Sequence, residues 1–354
     1  MGFASIPSGA LAELPSFSFA PVTAPLADRH GRVITDLRVS ITDRCNYRCI
    51  YCRTGNEGAQ YSELPIADYL RLIRIFVDLG IEKVRLTGGE PLLRKGLPEL
   101  VQELARLRTR RTGEPLDLAL TTNGHLLEDQ AQRLKASGLT RVTVSMDAVD
   151  ADTFARITRV PGSFEKVQQG IRAAQRAGFG PVKINCVVLR GFNDDQIVSF
   201  AKFSREMGVI VRFIEFMPLE EDRLWTPETV VPISEVISRL ESFRPLVKLP
   251  ATTAGETAVR YTFDDGVGEI GIIAPVSQAF CGECSRIRLT SDGKIRTCLF
   301  SQFDHDLYGV MQRGGSDEDL SAFIEKTVSR KEARHHIGEP DFLKPSRSMV
   351  HIGG

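Results

Sequence analysis

The hydrophobic and polar positions between residues 36 and 216 repeat one unit along the chain. Each unit is a short run of β-branched residues, a turn with polar or glycine residues, and an amphipathic segment that ends at glycine. This order is typical of a βα series. The predicted strands are 37–41, 83–87, 118–122, 142–146, 182–189 and 209–216. Six strands are fewer than a closed barrel needs, so we predict an α/β fold with a partial (β/α)6 barrel of the TIM type.

Apolar residues at helical spacing fill the gaps between these strands and predict helices at 66–77, 97–107, 127–134, 164–177 and 196–207. The alternation stops after Met217, where residues 218–223 look like an exposed connection. We therefore predict a flexible tail at 1–28, the partial barrel at 29–217 and a C-terminal α+β domain at 218–354. The predicted elements of that last domain are a helix at 233–240 and strands at 258–263 and 269–273.

The composition is that of an ordinary globular protein, with 42% hydrophobic and 25% charged residues. Basic and acidic residues number 45 each, so net charge indicates neither a nucleic acid nor a membrane partner. No apolar run approaches the roughly 20 residues of a membrane span. The tail lacks arginine before Arg29 and contains Glu13, which disfavours an organelle transit peptide. We expect a cytoplasmic protein.

Seven cysteines occur in groups of three, one and three, an odd count that does not suggest a secreted disulfide framework. The first group is Cys45, Cys49 and Cys52, spaced CxxxCxxC, so one loop can wrap three sulfurs around one inorganic centre. Three thiolates leave one iron of a cubane without a protein ligand. A zinc site, which usually takes four ligands, and a set of unreactive buried thiols are the alternatives. Cys186 lies in an apolar run and is expected in the core.

The second group of three is Cys281, Cys284 and Cys298. A zinc site with His305 as fourth ligand is the alternative to a second cubane. Arg286 and Arg288 lie two positions apart in a predicted strand and point to one face. Their guanidinium groups suit phosphate oxygens, and a solvated strand face is the other interpretation of the pair.

The first cysteine loop, with Tyr51 directly before its third cysteine, resembles the radical S-adenosylmethionine (SAM) superfamily. The second group, the Arg-Ile-Arg run after Cys284 and the Gly-Gly terminus extend this likeness. From residue 36 to residue 354, apart from a variable piece at 219–257, the chain resembles the GTP 3′,8-cyclase family, lyases that begin molybdenum cofactor biosynthesis.

The resemblance implies two [4Fe-4S] clusters on three cysteines each, SAM on the first cluster, and GTP, with Mg²⁺ as a possible companion. It implies conversion of GTP to (8S)-3′,8-cyclo-7,8-dihydroguanosine 5′-triphosphate, begun when a 5′-deoxyadenosyl radical removes the hydrogen on C3′. It also implies an external one-electron reductant, a homodimer, and delivery of the product to cyclic pyranopterin monophosphate synthase.

The same resemblance carries site residues onto this chain. The SAM contacts it implies are Tyr51, Gly89, Glu90, Ser145 and Met217. The GTP contacts it implies are Arg38, Arg85, Thr121, Lys183, Arg212, Arg286, Ile287 and Arg288. The terminal glycines Gly353 and Gly354 are expected to reach into the active site.

Strand alternation agrees with the GTP set, because Arg38, Arg85, Lys183 and Arg212 lie on four predicted strands and can all point inward. A ring of buried cations requires an anion. Lys83 belongs either to this ring or to the solvent-facing surface. The dispersed histidines are expected on the surface.

Two other functions fit parts of the sequence. A radical SAM enzyme that modifies peptides would also carry an auxiliary cluster, but such enzymes often have more C-terminal cysteines and a peptide-binding N-terminal module. A zinc-bearing C-terminal domain could instead bind nucleic acid, although neutral net charge and the absence of interleaved aromatic residues disfavour it.

Overall fold

The computed structural model of the chain describes residues 25–52, 59–220, 224–252 and 255–353. The strands are β1 (Asp36–Ser40), β2 (Lys83–Thr87), β3 (Asp117–Thr122), β4 (Arg141–Ser145), β5 (Lys183–Val188), β6 (Ile210–Glu215), β7 (Leu246–Leu249), β8 (Val259–Phe263), β9 (Glu269–Ile273), β10 (Arg286–Leu289) and β11 (Ile295–Arg296). The helices are α1 (Ile66–Asp78), α2 (Leu97–Ala105), α3 (Leu127–Ala136), α4 (Ala151–Thr158), α5 (Phe164–Arg176), α6 (Ile197–Met207), α7 (Ile233–Phe243), α8 (Leu307–Gln312), α9 (Asp317–Val328) and α10 (Met349–Ile352).

The strands form one sheet in the order β11-β10-β1-β2-β3-β4-β5-β6-β9-β8-β7. From β10 through β1–β6 to β9 every neighbouring pair is parallel, whereas β11, β8 and β7 pair antiparallel at the two ends. The sheet has two free ends and does not close. The six predicted barrel strands and the α/β class are confirmed.

The sheet continues past residue 217, where the sequence predicts a domain boundary. β9 extends it beyond β6 and β10 extends it beside β1, so the last third of the chain supplies both flanks of the parallel strands. The sequence pattern predicts an α+β domain there but contains no signal for these two strand pairings. The division into domains stays a prediction.

The helices pack their apolar faces on the outer surface of the sheet. In α1 the residues Tyr69, Ile73 and Phe76 recur at helical spacing and are fully buried. In β1 the side chains of Leu37 and Val39 are buried in the same core, while Arg38 between them points to the opposite face. No helix in the described ranges is both long and apolar enough to cross a bilayer.

The parallel register places inward side chains of adjacent strands next to each other. Arg38 lies opposite Arg288 on one side and opposite Arg85 on the other. On the far strands, Asn185 lies between Ser145 and Arg212. The concave face of the sheet is therefore lined by polar and charged residues.

The predicted tail at 1–28 includes residues that belong to the folded structure. Residues 1–24 lie outside the described residues, but Leu26 is buried in the main core and Ala27 forms a β-bridge with Val33. Asp28 accepts hydrogen bonds from the backbone and guanidinium of Arg32 and fixes this turn. The sequence gives no periodic signal for so short an element.

Candidate active site

A cavity of about 410 Å³ lies on the concave face of the sheet. Its walls come from both ends of the parallel run, since Ile273 of β9 and Arg286 of β10 both line it, so the sheet curves around it. All six cysteines of the two predicted groups line this cavity. Cys186 is buried in the core outside it, as expected.

The two cysteine groups lie at opposite ends of the strands. Cys45 comes shortly after the carboxyl end of β1, whereas Cys284 comes just before the amino end of β10, which is parallel to β1. Cys298 follows β11, which runs back along β10 to the same end as Cys284. The strand β1 has five residues, which corresponds to a length of about 17 Å at ~3.3 Å per residue.

The spread of the sulfur atoms tests what each group can hold. Among the described residues, three metal-ligating atoms lie within 4.8 Å of one another only at His336, Glu339 and Asp341, and in neither cysteine group. The sulfurs of a tetrahedral zinc site would lie about 3.8 Å apart, because Zn–S bonds measure about 2.3 Å. In each cysteine group at least one pair of sulfur atoms is therefore farther apart than a single tetrahedral zinc ion requires. Three cysteine side chains are also the donor set of an iron–sulfur cluster with one open iron. Among the described residues, His305 does not complete a zinc site with the second group.

The first cysteine loop is held by the turn after β2. Gly89 donates its backbone N–H to the carbonyl of Thr42 at 2.8 Å, and Glu90 donates to that of Arg44 at 2.7 Å. A Cβ atom on Gly89 would lie 2.3 Å from the Arg44 carbonyl oxygen. The glycine pair is thus required by the packing of backbone against the cysteine loop, in addition to any ligand.

Of the predicted SAM contacts, Tyr51, Gly89, Ser145 and Met217 line the cavity near this loop. Glu90 differs, because it is fully buried and does not line the cavity. Its carboxylate accepts hydrogen bonds from the backbone of Asn123 and from the hydroxyl of Thr122, both at 2.7 Å. Burial raises the pKa of Glu90 to about 7, although these hydrogen bonds lower it.

Tyr51 has a partner that sequence analysis missed. Its hydroxyl donates to the carboxylate of Asp147 at 2.6 Å, and the other oxygen of Asp147 accepts the backbone N–H of Val187 at 2.8 Å. Burial raises the pKa of Asp147 to about 6, although both hydrogen bonds lower it. Asp147 lies two residues after Ser145 on the inward face, so alternation could have identified it.

The middle of the cavity is crowded with cations. The basic residues that line it include Arg38, Arg85, Lys183, Arg212, Arg286 and Arg288. Burial, together with neighbouring guanidinium groups, lowers the pKa of Arg38 and of Arg85 to about 9 each and that of Arg212 to about 10. It lowers the pKa of Lys183 to about 8.

Two buried polar atoms in this part of the cavity have no hydrogen-bond partner among the described residues. They are the Nε of Arg212 and the Oδ1 of Asn185. Arg85 donates to the hydroxyls of Thr121 and Thr143 at 3.1 and 3.3 Å. Because a buried polar or charged group without a partner is costly, the arrangement suits a polyanionic ligand.

Two members of the predicted GTP and tail sets differ from expectation. Ile287 is 1% exposed and packs in the core, since it alternates with the inward Arg286 and Arg288. Gly353 does not line the cavity, but its carbonyl and that of Ile352 accept hydrogen bonds from Arg288. Gly354 lies outside the described residues.

Several residues that line the cavity are not identified by the sequence patterns as contacts. Lys83, for which the sequence allows two positions, lines the cavity and pairs with Asp36 at 2.8 Å. Arg141 lines it on the same face as Ser145, which its spacing in β4 could have shown. His335 is half-buried at the cavity wall and His351 is buried, so the expectation that the histidines lie on the surface is wrong for both.

The second cysteine group is surrounded by positive charge. Arg286 donates to the Sγ of Cys284 at 3.5 Å and to the hydroxyl of Thr257 at 2.8 Å. Burial raises the pKa of Cys284, but Arg286 and Lys331 outweigh it and lower the pKa to about 7. Burial dominates at Cys298 and raises its pKa.

Comparison with known proteins agrees with the two halves of this site. Residues 39–204 match the radical SAM superfamily, whose members use a [4Fe-4S] cluster and SAM, and residues 209–337 match the family described as Molybdenum Cofactor Synthesis C. In fold, the chain is similar to Streptococcus suis SuiB bound to S-adenosylmethionine, with a TM-score of 0.59 and 14% identity over 90% of this chain and 78% of SuiB.

Curated relatives are similar along most of their length. A GTP 3′,8-cyclase of Xanthomonas axonopodis pv. citri is 44% identical over 83% of this chain and 88% of its own. A GTP 3′,8-cyclase of Syntrophomonas wolfei is 39% identical over 93% of this chain and 100% of its own length. Another, of Rhodopirellula baltica, is 39% identical over 99% of this chain and 98% of its own length. The chain therefore belongs to the GTP 3′,8-cyclase family of radical SAM enzymes.

Proposed function

We propose that this protein is a GTP 3′,8-cyclase, which converts GTP to (8S)-3′,8-cyclo-7,8-dihydroguanosine 5′-triphosphate in the first step of molybdenum cofactor biosynthesis. The observation that carries the proposal is the single cavity with a cysteine group at each end and a cluster of cations between them. One small molecule can bind at each end, and the two can meet across the middle.

Cys45, Cys49 and Cys52 would hold the first [4Fe-4S] cluster, and Tyr51, Gly89, Ser145 and Met217 would contact SAM. When both are bound, they supply the radical that removes the hydrogen on C3′ of GTP. We assign Glu90 to the support of the Asn123 turn, which lies beside Cys45, because its carboxylate already accepts protein hydrogen bonds.

Cys281, Cys284 and Cys298 would hold a second cluster at the opposite end, beside the guanine. Arg38, Arg85, Lys183, Arg212, Arg286 and Arg288 would bind the triphosphate, with Mg²⁺ as its companion, and Thr121 would orient Arg85. The lowered pKa values of these cations support the assignment, because an anion among them would relieve their mutual repulsion. Because its side chain is buried in the core, Ile287 could contact GTP only through its backbone.

The remaining residues act by geometry. The Asp147 carboxylate fixes Tyr51 and the end of β5 together, so it would orient the SAM end of the cavity. The apolar side chains of Ile273, Met217 and Val350 in the wall would exclude water and other hydrogen donors from the substrate carbon. Correct placement of C3′ is the main contribution that such a site makes to the rate.

An external reductant must supply one electron for each SAM that is cleaved reductively. The product would pass to cyclic pyranopterin monophosphate synthase, and we also propose a homodimer. The peptide-modifying alternative shares only the fold with this chain, and a cavity rich in arginine and lysine favours a triphosphate over a peptide.

Anaerobic reconstitution with iron and sulfide, followed by dithionite, SAM and GTP, tests the proposal. We expect iron and sulfide sufficient for two clusters and 5′-deoxyadenosine that forms only with GTP. If the amount of 5′-deoxyadenosine does not depend on GTP but increases with added peptide, the cyclase function is excluded. A colourless protein that carries zinc alone would exclude radical chemistry altogether.

A further inference from the structure

Lys331 is a buried lysine beside the second cysteine group. It follows α9 and is 3% exposed. Its ammonium donates to the backbone carbonyl of Arg286 at 3.0 Å and to that of Thr297. Lys331 also lines the cavity.

No carboxylate of the described residues pairs with this ammonium. Across the described ranges, no carboxylate lies within ion-pairing distance of Lys331, and its partners are neutral carbonyl groups. A buried charge without an opposite charge is strongly unfavourable. The ammonium of Lys331 therefore requires a neighbouring anion, and no carboxylate of the described residues is that anion.

The two carbonyls place the ammonium beside the cysteines. Arg286 comes two residues after Cys284, and Thr297 directly precedes Cys298. As ligands of an iron–sulfur cluster these two cysteines are thiolates. The thiolates and the cluster that they hold therefore compensate the charge of Lys331.

The segment of Lys331 is fixed to the cysteine loops by further hydrogen bonds. Arg32 donates to the carbonyl of Cys281 at 2.8 Å and to those of Glu332 and Ala333 at 2.6 and 2.8 Å. The hydroxyl of Thr297 donates to Glu332 at 2.6 Å. Lys331 thus cannot move away from the cysteines without breaking this network.

We propose that Lys331 is a positioning residue that holds a positive charge beside an iron–sulfur cluster on Cys281, Cys284 and Cys298 and raises its reduction potential. The inference rests on the proposed function, which assigns a cluster to these cysteines. A cubane on three thiolates carries net negative charge and gains more on reduction, so a fixed cation stabilises its reduced state.

The test is an electron paramagnetic resonance titration with dithionite on the anaerobically reconstituted full chain. A C45A/C49A/C52A variant identifies the signal of the second cluster. We expect K331M and K331Q to lower the ratio of reduced to oxidised second cluster about tenfold at a fixed potential, which is ~59 mV for one electron. We expect K331R to stay near the wild type and the first cluster to be unchanged.

K326M is the matched control, because Lys326 is an exposed lysine on α9. An unchanged potential in K331M, or a shift as large in K326M, would overturn the inference. Loss of the second cluster in all three Lys331 variants, K331R included, would also overturn it, since packing rather than charge would then explain the residue. If the wild type takes up only one cluster, the proposal of a second cluster is wrong. That outcome differs from an unchanged potential in K331M, which would contradict the role of Lys331 alone.

Discussion

At the scale of single residues, the cations of the cavity differ in how firmly they hold their protons. Burial, followed by the charges of Arg212 and Arg141, lowers the pKa of Lys183 to about 8. The pKa of Arg38 and of Arg85 is lowered only to about 9. Among Lys183, Arg38, Arg85 and Arg212, it is Lys183 whose pKa lies closest to neutral pH.

GTP affinity should accordingly fall as pH rises. In the free protein Lys183 is protonated below a pH of about 8 and neutral above it, and the triphosphate binds the protonated form. Equilibrium binding between pH 7 and pH 9 should show this loss in the wild type. The K183M variant should bind roughly tenfold more weakly at pH 7 and show a flatter profile, whereas K95M, at an exposed lysine, should behave as the wild type. An equal pH dependence in K183M would contradict the assignment.

Asp147 offers a second residue-scale prediction. In D147N the side chain keeps its shape but loses the charge that accepts the hydroxyl of Tyr51. We expect SAM affinity to fall by about tenfold, on the order of 1.4 kcal/mol for a charge-assisted hydrogen bond, while GTP affinity is unchanged. Separate binding measurements for the two ligands would check this, and an equal loss for both would indicate general disruption instead.

How far the sequence predicted these residues depends on alternation. Arg38, Arg85, Lys183 and Arg212 could be placed inward because a strand presents every second residue to one face. The same rule places the side chain of Ile287 in the core, on the face opposite its two arginine neighbours. Lys331 lies outside any strand or helix, so no periodic signal marks it.

At the scale of elements, the turn after β2 and the first cysteine loop form one unit. The backbone of Gly89 and Glu90 pairs with that of Thr42 and Arg44, and Gly88 has a φ of 151°, a value that favours glycine. The loop that carries the cysteines is therefore shaped by a turn far from it in sequence.

A methyl group on Gly89 should disturb this unit. G89A would place a Cβ 2.3 Å from the Arg44 carbonyl oxygen, so the cysteine loop must shift. We expect reconstituted G89A to hold about half the iron of the wild type, with the second cluster retained. G282A is the matched control, since Gly282 also lies in a cysteine loop but its added Cβ meets nothing within 4 Å. Equal iron in both variants would refute this view of the turn.

Elements of the βα series could be predicted because each one leaves a local pattern. The pairing of β10 with β1 and of β9 with β6 could not, because it joins strands far apart in the sequence and depends on the whole sheet. The short bridge formed by Ala27 and Val33 was missed for a related reason, since it is stabilised by contacts with distant residues rather than by its own pattern.

At the scale of the whole molecule, the cavity lowers stability when no anion is bound. Arg38 lies among Arg85, Arg286 and Arg212, whose charges, after burial, lower its pKa. The charge of Asp36 raises the pKa of Arg38 but does not outweigh these effects. Binding sites often reduce stability in this way, because groups placed for a ligand repel each other without it.

GTP should therefore raise the melting temperature of the reconstituted protein more than guanosine does at equal concentration. A ligand at about 100 times its Kd adds roughly 2.7 kcal/mol to the free energy of unfolding. We expect R38M to be more stable than the wild type without ligand, by ~1 kcal/mol, and to gain less from GTP. R111M, at a surface arginine, should change neither quantity. If R38M without ligand is less stable than the wild type, repulsion among the cations is not the main effect of Arg38 on the free energy of unfolding.

The two flanking strands from the last third of the chain bear on the order in which the protein is made. A ribosome releases the first cysteine loop and the strands β1–β6 long before β9 and β10 exist. Until those strands arrive, β1 and β6 each have an unpaired edge, which is a recognised site of aggregation. Iron inserted at this stage would sit in an open half-cavity exposed to oxygen. The topology thus favours metal loading after synthesis is complete, when both flanks are in place.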